Sequence, residues 1–425
     1  MMWTASIIAA LVSCSALGAN AQKVFAHFMA QNSFSYTQSD WASDIAAAQA
    51  VGIDGFALNV AVDNYEVDKI VDAFAAAEAA SNFQLFFSFD MNYQWAQSDM
   101  VSLVSAHASS PSMFRWNNAV LVSTFNGEDR GDPFWVSFKD SLASQGIEVS
   151  FAPAFIGFRD PGRSQELVNT FTSIDGFFNW WSWPADVADD LTTDTDLAYQ
   201  SAVSSKSGPY IMSVSPWQFK ELGGDQDWVE QSDRLWKYRW EQAINGVKPD
   251  LVEIVTWNDY GESHYIADIN PKVDLGTLAP NYVNGFEHGP WRIMAEYYIS
   301  WFKNGSPPAV ETDTVVFWYR AHPKSVTCSG GDRPRNSDFP ADAIFAWSLL
   351  TSPATISLDV GSNHAEFDAG TGVGIGSVPF PSEDSQIPFV QIIRNSVSVK
   401  SIHGSMFITN ACSYYNFNPW VGVLQ

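Results

Sequence analysis

Leu251-Val-Glu-Ile-Val-Thr-Trp-Asn-Asp-Tyr-Gly-Glu-Ser-His264 opens as a short run of branched apolar residues and then breaks into polar and aromatic ones. A run of that length, bounded by Gly and Asn, reads as a strand emptying into a loop. The loop carries two carboxyls three residues apart, Asp259 and Glu262, with Trp257 and Tyr260 around the first and Gly261 between them. Taken alone, it is as consistent with a solvated acidic turn as with chemistry, since short acidic loops are common.

Working outward, the same texture recurs seven times upstream. Apolar runs at 24–29, 55–59, 83–90, 119–125, 148–153, 176–181 and 210–214 are each followed by a helix-period segment, at 40–50, 67–80, 99–108, 133–144, 164–171, 196–204 and 228–244. A helix at 289–302 follows the opening stretch after a long loop. Eight strand-then-helix units predict an α/β fold of the (β/α)8 TIM barrel type, whose strands are covered on both faces and so read as apolar runs without alternation. A doubly wound open sheet fits less well, because no glycine-rich phosphate loop follows the first strand. Beyond Lys303-Asn-Gly-Ser-Pro-Pro308 the texture becomes β-rich, with runs at 314–320, 343–347, 354–358, 387–393 and 396–400 separated by Gly, Pro, Asn and Ser. This predicts a C-terminal β-sandwich domain. The expected layout is a leader over 1–21, a barrel over 22–308 and a sandwich over 309–425.

The formal charge of −25 and pI near 4.4 repel phosphate backbones and anionic lipid, so neither nucleic acid nor a membrane is expected as partner. A neutral polymer or small molecule fits, although such acidity equally suits solubility in a mildly acidic exterior. The 18 Trp and 30 Phe exceed what a core of ordinary size requires, so some rings should line a binding surface. Residues 1–21 hold an apolar stretch, Ile7 to Val12, and end in Ala19-Asn-Ala21, which predicts a secretory signal cut before Gln22 and a secreted, extracellular or cell-wall protein. Cys14 leaves with it. Cys328 and Cys412 remain, and an oxidising compartment predicts one disulfide between them. Two thiolates make a weak metal site, and no metal is expected. The expected state is a monomer.

On a barrel of this type the working groups stand at strand C-terminal ends. Those tips offer His27, Asn59, Asp63, Asp90, Asn126, Glu128, Trp180, Trp181, Trp183, Trp217, Trp257, Asp259, Tyr260 and Glu262. Polar and aromatic groups at nearly every tip favour chemistry over a plain turn, and paired carboxyls beside flat rings suit glycoside hydrolysis. An acid after the fourth strand paired with a nucleophile after the seventh is disfavoured: Glu128 is there, but Ser213-Val-Ser-Pro-Trp217 has no carboxyl. Asp259 and Glu262 are the expected catalytic pair. Standing roughly 6.5–9.5 Å apart they would admit a water and invert the anomer. His27, Asn59, Asp90, Asn126, Glu128, Trp180, Trp181, Trp217, Trp257 and Tyr260 are the expected substrate contacts. For Asp90 a structural hydrogen bond at the rim weighs as much as contact with sugar.

The order and spacing of Val24-Phe-Ala-His-Phe-Met29, Gly52-Ile-Asp-Gly-Phe-Ala-Leu-Asn59, Phe86-Phe-Ser-Phe-Asp90 and Thr256-Trp-Asn-Asp-Tyr-Gly-Glu-Ser-His264 resemble glycoside hydrolase family 71, the fungal α-1,3-glucanases or mutanases. The resemblance implies a secreted, endo-acting hydrolase of α-1,3-glucan that inverts configuration and uses no cofactor. It also implies that Asp259 and Glu262 are the acidic pair. Glu262 is expected as the acid, raised by an apolar setting, and Asp259 as the base, with the exchanged assignment open. Two alternatives stand beside it: an endo-α-mannosidase-like glycosidase and a polysaccharide-binding protein without turnover.

Overall fold

The computed structural model describes residues 22–425, and the signal sequence expected over 1–21, with Cys14, lies outside the described residues. Strand and helix alternate from Lys23 onward: β1 (Lys23–Met29) and α1 (Gln38–Ala50), β2 (Gly55–Val60) and α2 (Asn64–Ala80), β3 (Gln84–Asp90) and α3 (Gln97–His107). A two-residue β4 (Arg115–Trp116) precedes β5 (Ala119–Phe125) and α4 (Asp132–Ala143). Then come β6 (Val149–Phe151) and α5 (Ser164–Thr170), β7 (Phe177–Asn179) and α6 (Asp194–Val203), and β8 (Tyr210–Val214). After a hairpin of β9 (Phe219–Glu221) and β10 (Asp227–Val229) follow α7 (Leu235–Glu241), β11 (Leu251–Ile254), a short α8 (Pro280–Val283) and α9 (Trp291–Asn304). Helix boundaries fall where the sequence supplies them. Asp40 closes a capping box with Thr37 at the start of α1, Gly52 turns with φ +85° after its end, and Pro133 sits in the first turn of α4.

One curled sheet takes the strands in the order β4-β5-β3-β2-β1-β11-β8-β7, with β6 on β5, and all its pairs but β4–β5 are parallel. The amides of Gly176 and Phe178 donate to the carbonyls of Phe151 (3.1 Å) and Pro153 (3.0 Å), tying β7 to the β6 segment. Alternate residues go to opposite faces. Phe25, Ala57, Phe86, Leu121, Ala152, Phe178, Ile211 and Leu251, one from each unit, share an inner apolar cluster. Their neighbours Val24, Phe56, Phe87, Val122, Phe151, Phe177, Met212 and Val252 join the larger cluster under the helices. Two residues further along, the inner face turns polar: His27, Asn59, Ser88, Ser123, Trp180, Ser213 and Glu253. The inner face of the sheet is thus apolar at one end and largely polar at the other.

One expected helix start was wrong. Residues 228–234 are not helical, because Gly223 and Gly224 take φ of +87° and +68° and turn the chain so that Lys220 pairs with Trp228 across β9 and β10.

The C-terminal part holds β12 (Thr314–Tyr319), β13 (Ala343–Leu350), β14 (Ala354–Val360), β15 (Asn363–Ala369), β16 (Gly372–Pro379), β17 (Phe389–Arg394), β18 (Val397–His403) and β19 (Trp420–Leu424). They form two antiparallel sheets, β16-β13-β12-β19 and β15-β14-β17-β18, sharing an apolar core of Val315, Phe317 and Ile344 from one and Ile356, Leu358 and Val390 from the other. The outer face of the first sheet continues the core of the N-terminal part: Trp347 Nε1 donates to Tyr298 Oη (3.1 Å) and Trp318 Nε1 to the Asp233 carbonyl (3.0 Å). Cys328 and Cys412 are disulfide-bonded. No helix among the described residues is long and apolar enough to cross a membrane.

Candidate active site

The loop after β11 is pinned to β1 before it reaches its carboxyls. The Trp257 amide donates to the His27 carbonyl (2.7 Å), and the fully buried Asn258 amide accepts from Met29 N (2.7 Å) and donates to Met29 O (3.3 Å). Thr256 N donates to the His264 carbonyl (2.9 Å), closing the loop at its base. Inside it, Asp259 N donates to Thr256 Oγ1 (2.9 Å) and Glu262 N to Asp259 Oδ1 (3.1 Å), while Ser263 takes φ of +61°. Both carboxyls therefore face one cleft of about 330 Å³ at the polar end of the sheet.

They differ in electrostatics. Glu262 accepts from Lys220 Nζ (2.7 Å), Gln218 Nε2 (3.1 Å) and His264 Nε2 (3.3 Å). Burial opposes its ionisation, but the His264 and Lys220 contacts outweigh that and hold the carboxyl far below the ordinary range. The buried His264 ring lies between the Thr256 hydroxyl, 3.1 Å from Nδ1, and the Glu262 carboxyl, 3.3 Å from Nε2, an arrangement that suits the tautomer with its N–H toward the carboxylate. Asp259 shifts the opposite way: burial raises it, His264 opposes this, and the adjacent Glu262 carboxylate adds to it. The side chains remain 20% and 27% exposed, so both reach solvent from the cleft. The expectation of a raised Glu262 in an apolar setting is thus reversed by His264 and by Lys220, whose ammonium also lies 4.0 Å from the Trp228 ring.

The expected separation is also not met. Asp259 and Glu262 each bring an oxygen to within 4.8 Å of the other and of His264 Nε2, short of the roughly 6.5–9.5 Å that a water between them requires. These three groups are the cluster among the described residues that could ligate a cation. Lys220 and Gln218 already occupy both Glu262 oxygens, and the ammonium supplies the positive charge that an ion would bring.

Of the expected substrate contacts, His27, Asn59, Asp90, Trp180 and Trp181 line this cleft, as does Trp183. His27 Nδ1 lies 2.7 Å from Glu253 Oε1, both buried, and its Nε2 has no partner among the described residues. Burial raises Asp90, whose Oδ1 accepts from Asn92 N (3.0 Å). Five others do not reach the cleft. Trp217 is buried and donates to the Phe417 carbonyl (2.9 Å), Trp257 packs on Phe56, and Tyr260 is buried with its hydroxyl on the Asp268 carbonyl (2.9 Å). Asn126 stands behind Asn92 (2.9 Å), and Glu128 accepts from Gly157 N (2.7 Å). Sequence reasoning missed Gln218, Lys220, Trp228 and Glu230, which the β9–β10 hairpin and the segment after it bring to the cleft wall. Burial pushes Glu230 up to about 7. The Gly223-Gly224 pair was the available signal for that hairpin.

The glycosyl hydrolase family 71 profile matches residues 20–425. A glucan endo-1,3-alpha-glucosidase of Schizosaccharomyces pombe is 37% identical over 420 residues, covering 95% of either chain. A mutanase of Penicillium rubens is 33% identical over 420 residues, covering 94% of this chain and 88% of its own. An ascus wall endo-1,3-alpha-glucanase of S. pombe is 30% identical, covering 93% and 95%. Among solved structures, the GH99 endo-alpha-mannosidase from Bacteroides thetaiotaomicron superposes with a TM-score of 0.52 over 66% of this chain and 97% of its own at 10% identity, a likeness of fold alone.

Proposed function

We infer, from the premise that this chain belongs to glycosyl hydrolase family 71, that it hydrolyses internal bonds of α-1,3-glucan with inversion at the anomeric carbon. The observation that carries this is a cleft with two adjacent carboxyls of opposite protonation bias, in a chain alike over nearly its whole length to enzymes named for that substrate. The strand pairing supports a (β/α)8 barrel over 22–308, and the two sheets around one core support a β-sandwich over 309–425.

Asp259, raised by burial, keeps its proton and gives it to the departing glycosidic oxygen. Glu262, held ionised by Lys220 and His264, steadies the positive charge growing on the sugar ring. This exchanges the roles expected from sequence. With Asp259 and Glu262 side by side, the water attacks under a different carboxyl. Asp90, three strands round the sheet, and Glu230, beyond the β9–β10 hairpin, both line the same cleft; Asp90 stands on the far side of the sheet from the Glu230 wall and takes the water's proton as the water oxygen bonds to the anomeric carbon. His27 and Trp180 sit beneath, the imidazole against the indole edge at 4.9 Å, as contacts for the ring bound there. An endo-α-mannosidase-like activity has only the likeness of fold behind it, and a protein that binds without turnover has no use for an ionised Glu262 beside a protonated Asp259. The wall-associated relative supports an extracellular or cell-wall location, and we take the protein to act as a monomer.

Proton NMR of the first product formed from α-1,3-glucan tests the reading. The β-anomer should appear first. First appearance of the α-anomer rules out inversion, and release of sugar from α-mannan but not from α-1,3-glucan rules out the substrate.

A further inference from the structure

An internal bond has polymer on both sides, so a cleft that cuts it must let chain leave at two ends. Trp181, Trp183 and Trp228 line one side of the cleft. The opposite side of the cleft is built by the first three units through Met29, Asn59 and Asn92. Just beyond these, the loops after β1, β2 and β3 are cross-tied, the second through Tyr65 in the first turn of α2. Tyr65 Oη donates to the Gln31 carbonyl (3.0 Å), and Gln31 Nε2 donates to Tyr93 Oη (2.7 Å). Phe34 stands on this frame with 65% of its surface exposed, its ring edge-on to Tyr65 at 4.9 Å. Val62, also exposed at 44%, lies in the second of the three loops.

Phe34 is the most exposed of the large apolar side chains among the described residues. A phenyl ring on the surface forgoes the stabilisation that burial brings, and here the neighbouring loops brace Tyr65 beneath it while leaving its face open. Flat apolar faces flanked by hydroxyl and amide groups are what a pyranose ring recognises, since it presents C–H bonds on one face and hydroxyls at its edge.

We propose that Phe34, braced by Tyr65, is a distal stacking platform for the stretch of α-linked glucan leaving the cleft over the first three units. This rests on the polysaccharide reading above and adds to it a binding position several sugars from the scissile bond. The occupant is the substrate's own continuation, because the platform adjoins the cleft through Met29 and Asn92 and lies on the same face as the carboxyls. Longer chains reach it and the shortest ones end before it, so the enzyme's preference for chain length is set here.

The test compares the full-length protein with Phe34→Ala and Phe34→Trp on insoluble α-1,3-glucan and on α-1,3-linked gluco-oligosaccharides of increasing length. Loss of one aromatic stacking contact predicts a roughly three- to tenfold fall in kcat/KM for F34A on the polymer, shrinking steadily as the oligosaccharide shortens. F34W should restore the polymer rate. An equal loss at every length, or none at any length, overturns the platform while leaving the substrate reading intact. A wild-type protein that cleaves none of these substrates overturns both.

Discussion

Lys220→Met is the most informative single change. Methionine keeps most of the apolar stem but removes the ammonium, which lies 2.7 Å from Glu262 Oε1 and 4.0 Å from the Trp228 ring. A hydrogen bond between charged groups contributes about 1.5–3 kcal/mol, and a pKa unit corresponds to about 1.36 kcal/mol, so the Glu262 carboxyl should rise by about one to two units. Gln218 at 3.1 Å and His264 at 3.3 Å remain, so the shift is partial. The sign follows from linkage. A carboxyl depressed by folding contributes stability that is present above its unfolded pKa and lost as pH falls through its folded pKa. Raising the folded value moves that loss, and the loss of the charge that catalysis uses, toward neutrality. In profiles of kcat/KM against pH on a soluble α-1,3-gluco-oligosaccharide, the acidic limb of K220M should therefore move up by about one to two units. K220R, which keeps a cation, should stay near wild type. An acidic limb that does not move in K220M, in protein shown by circular dichroism to stay folded across the profile, would refute the assignment of Lys220 as a group that, with His264, keeps Glu262 ionised.

Three further outcomes are expected. Asp259→Asn should lower kcat by about a hundred- to ten-thousandfold with oligosaccharide binding retained by calorimetry, and near-normal turnover would remove Asp259 as the proton donor. Burial raises Asp44 to about 6 and Glu66 and Glu230 to about 7, so the stability tied to their neutral forms is complete below the unfolded carboxyl pKa and drains as pH rises through these values. The melting temperature should accordingly fall between about pH 4.5 and pH 7.5, less steeply in Glu66→Gln, and a rise over that interval would contradict the burial argument. Cys328→Ser opens a link spanning 84 residues, worth about 4.6 kcal/mol on the chain-entropy account. Its melting temperature should drop to that of the dithiothreitol-treated wild type, and unequal values would show that the thiols do more than close the loop.

The repeating units were legible because strands covered on both faces, such as Gln84–Asp90, are written as unbroken apolar runs, and because each helix is punctuated by its own caps. The β9–β10 hairpin was not, since Phe219, Trp228 and the aromatics after it fit a helical period as readily as an alternating one. Strand β16, with Gly372, Gly374 and Gly376, carries almost no side-chain pattern, and so escaped notice. Within the site, the acidic loop announced itself by residue type. Its electrostatics did not, because Lys220 and Gln218 arrive from some forty residues upstream and only the folded register sets them on Glu262. Aromatics at strand tips were the weakest signal: Trp181 turns into the cleft and Trp257 into the core, and sequence says nothing about which way such a ring will point.

The hairpin that carries Lys220 leans on chain made much later. Asp332 N donates to Glu221 Oε1 (3.1 Å), Val229 N to the Arg335 carbonyl (3.1 Å) and Arg335 N to the Asp227 carbonyl (2.9 Å), in a segment that begins at the disulfide-bonded Cys328. Both acids and every strand of the curled sheet are translated before any of these props exists. The cleft wall that carries Lys220 is therefore complete only when the chain through Arg335 is in place, and the Cys328–Cys412 bond ties that segment to chain later still. A fragment ending ahead of Thr314 would keep Asp259, Glu262 and Lys220 but lose the hydrogen bonds that Asp332 and Arg335 make to the hairpin.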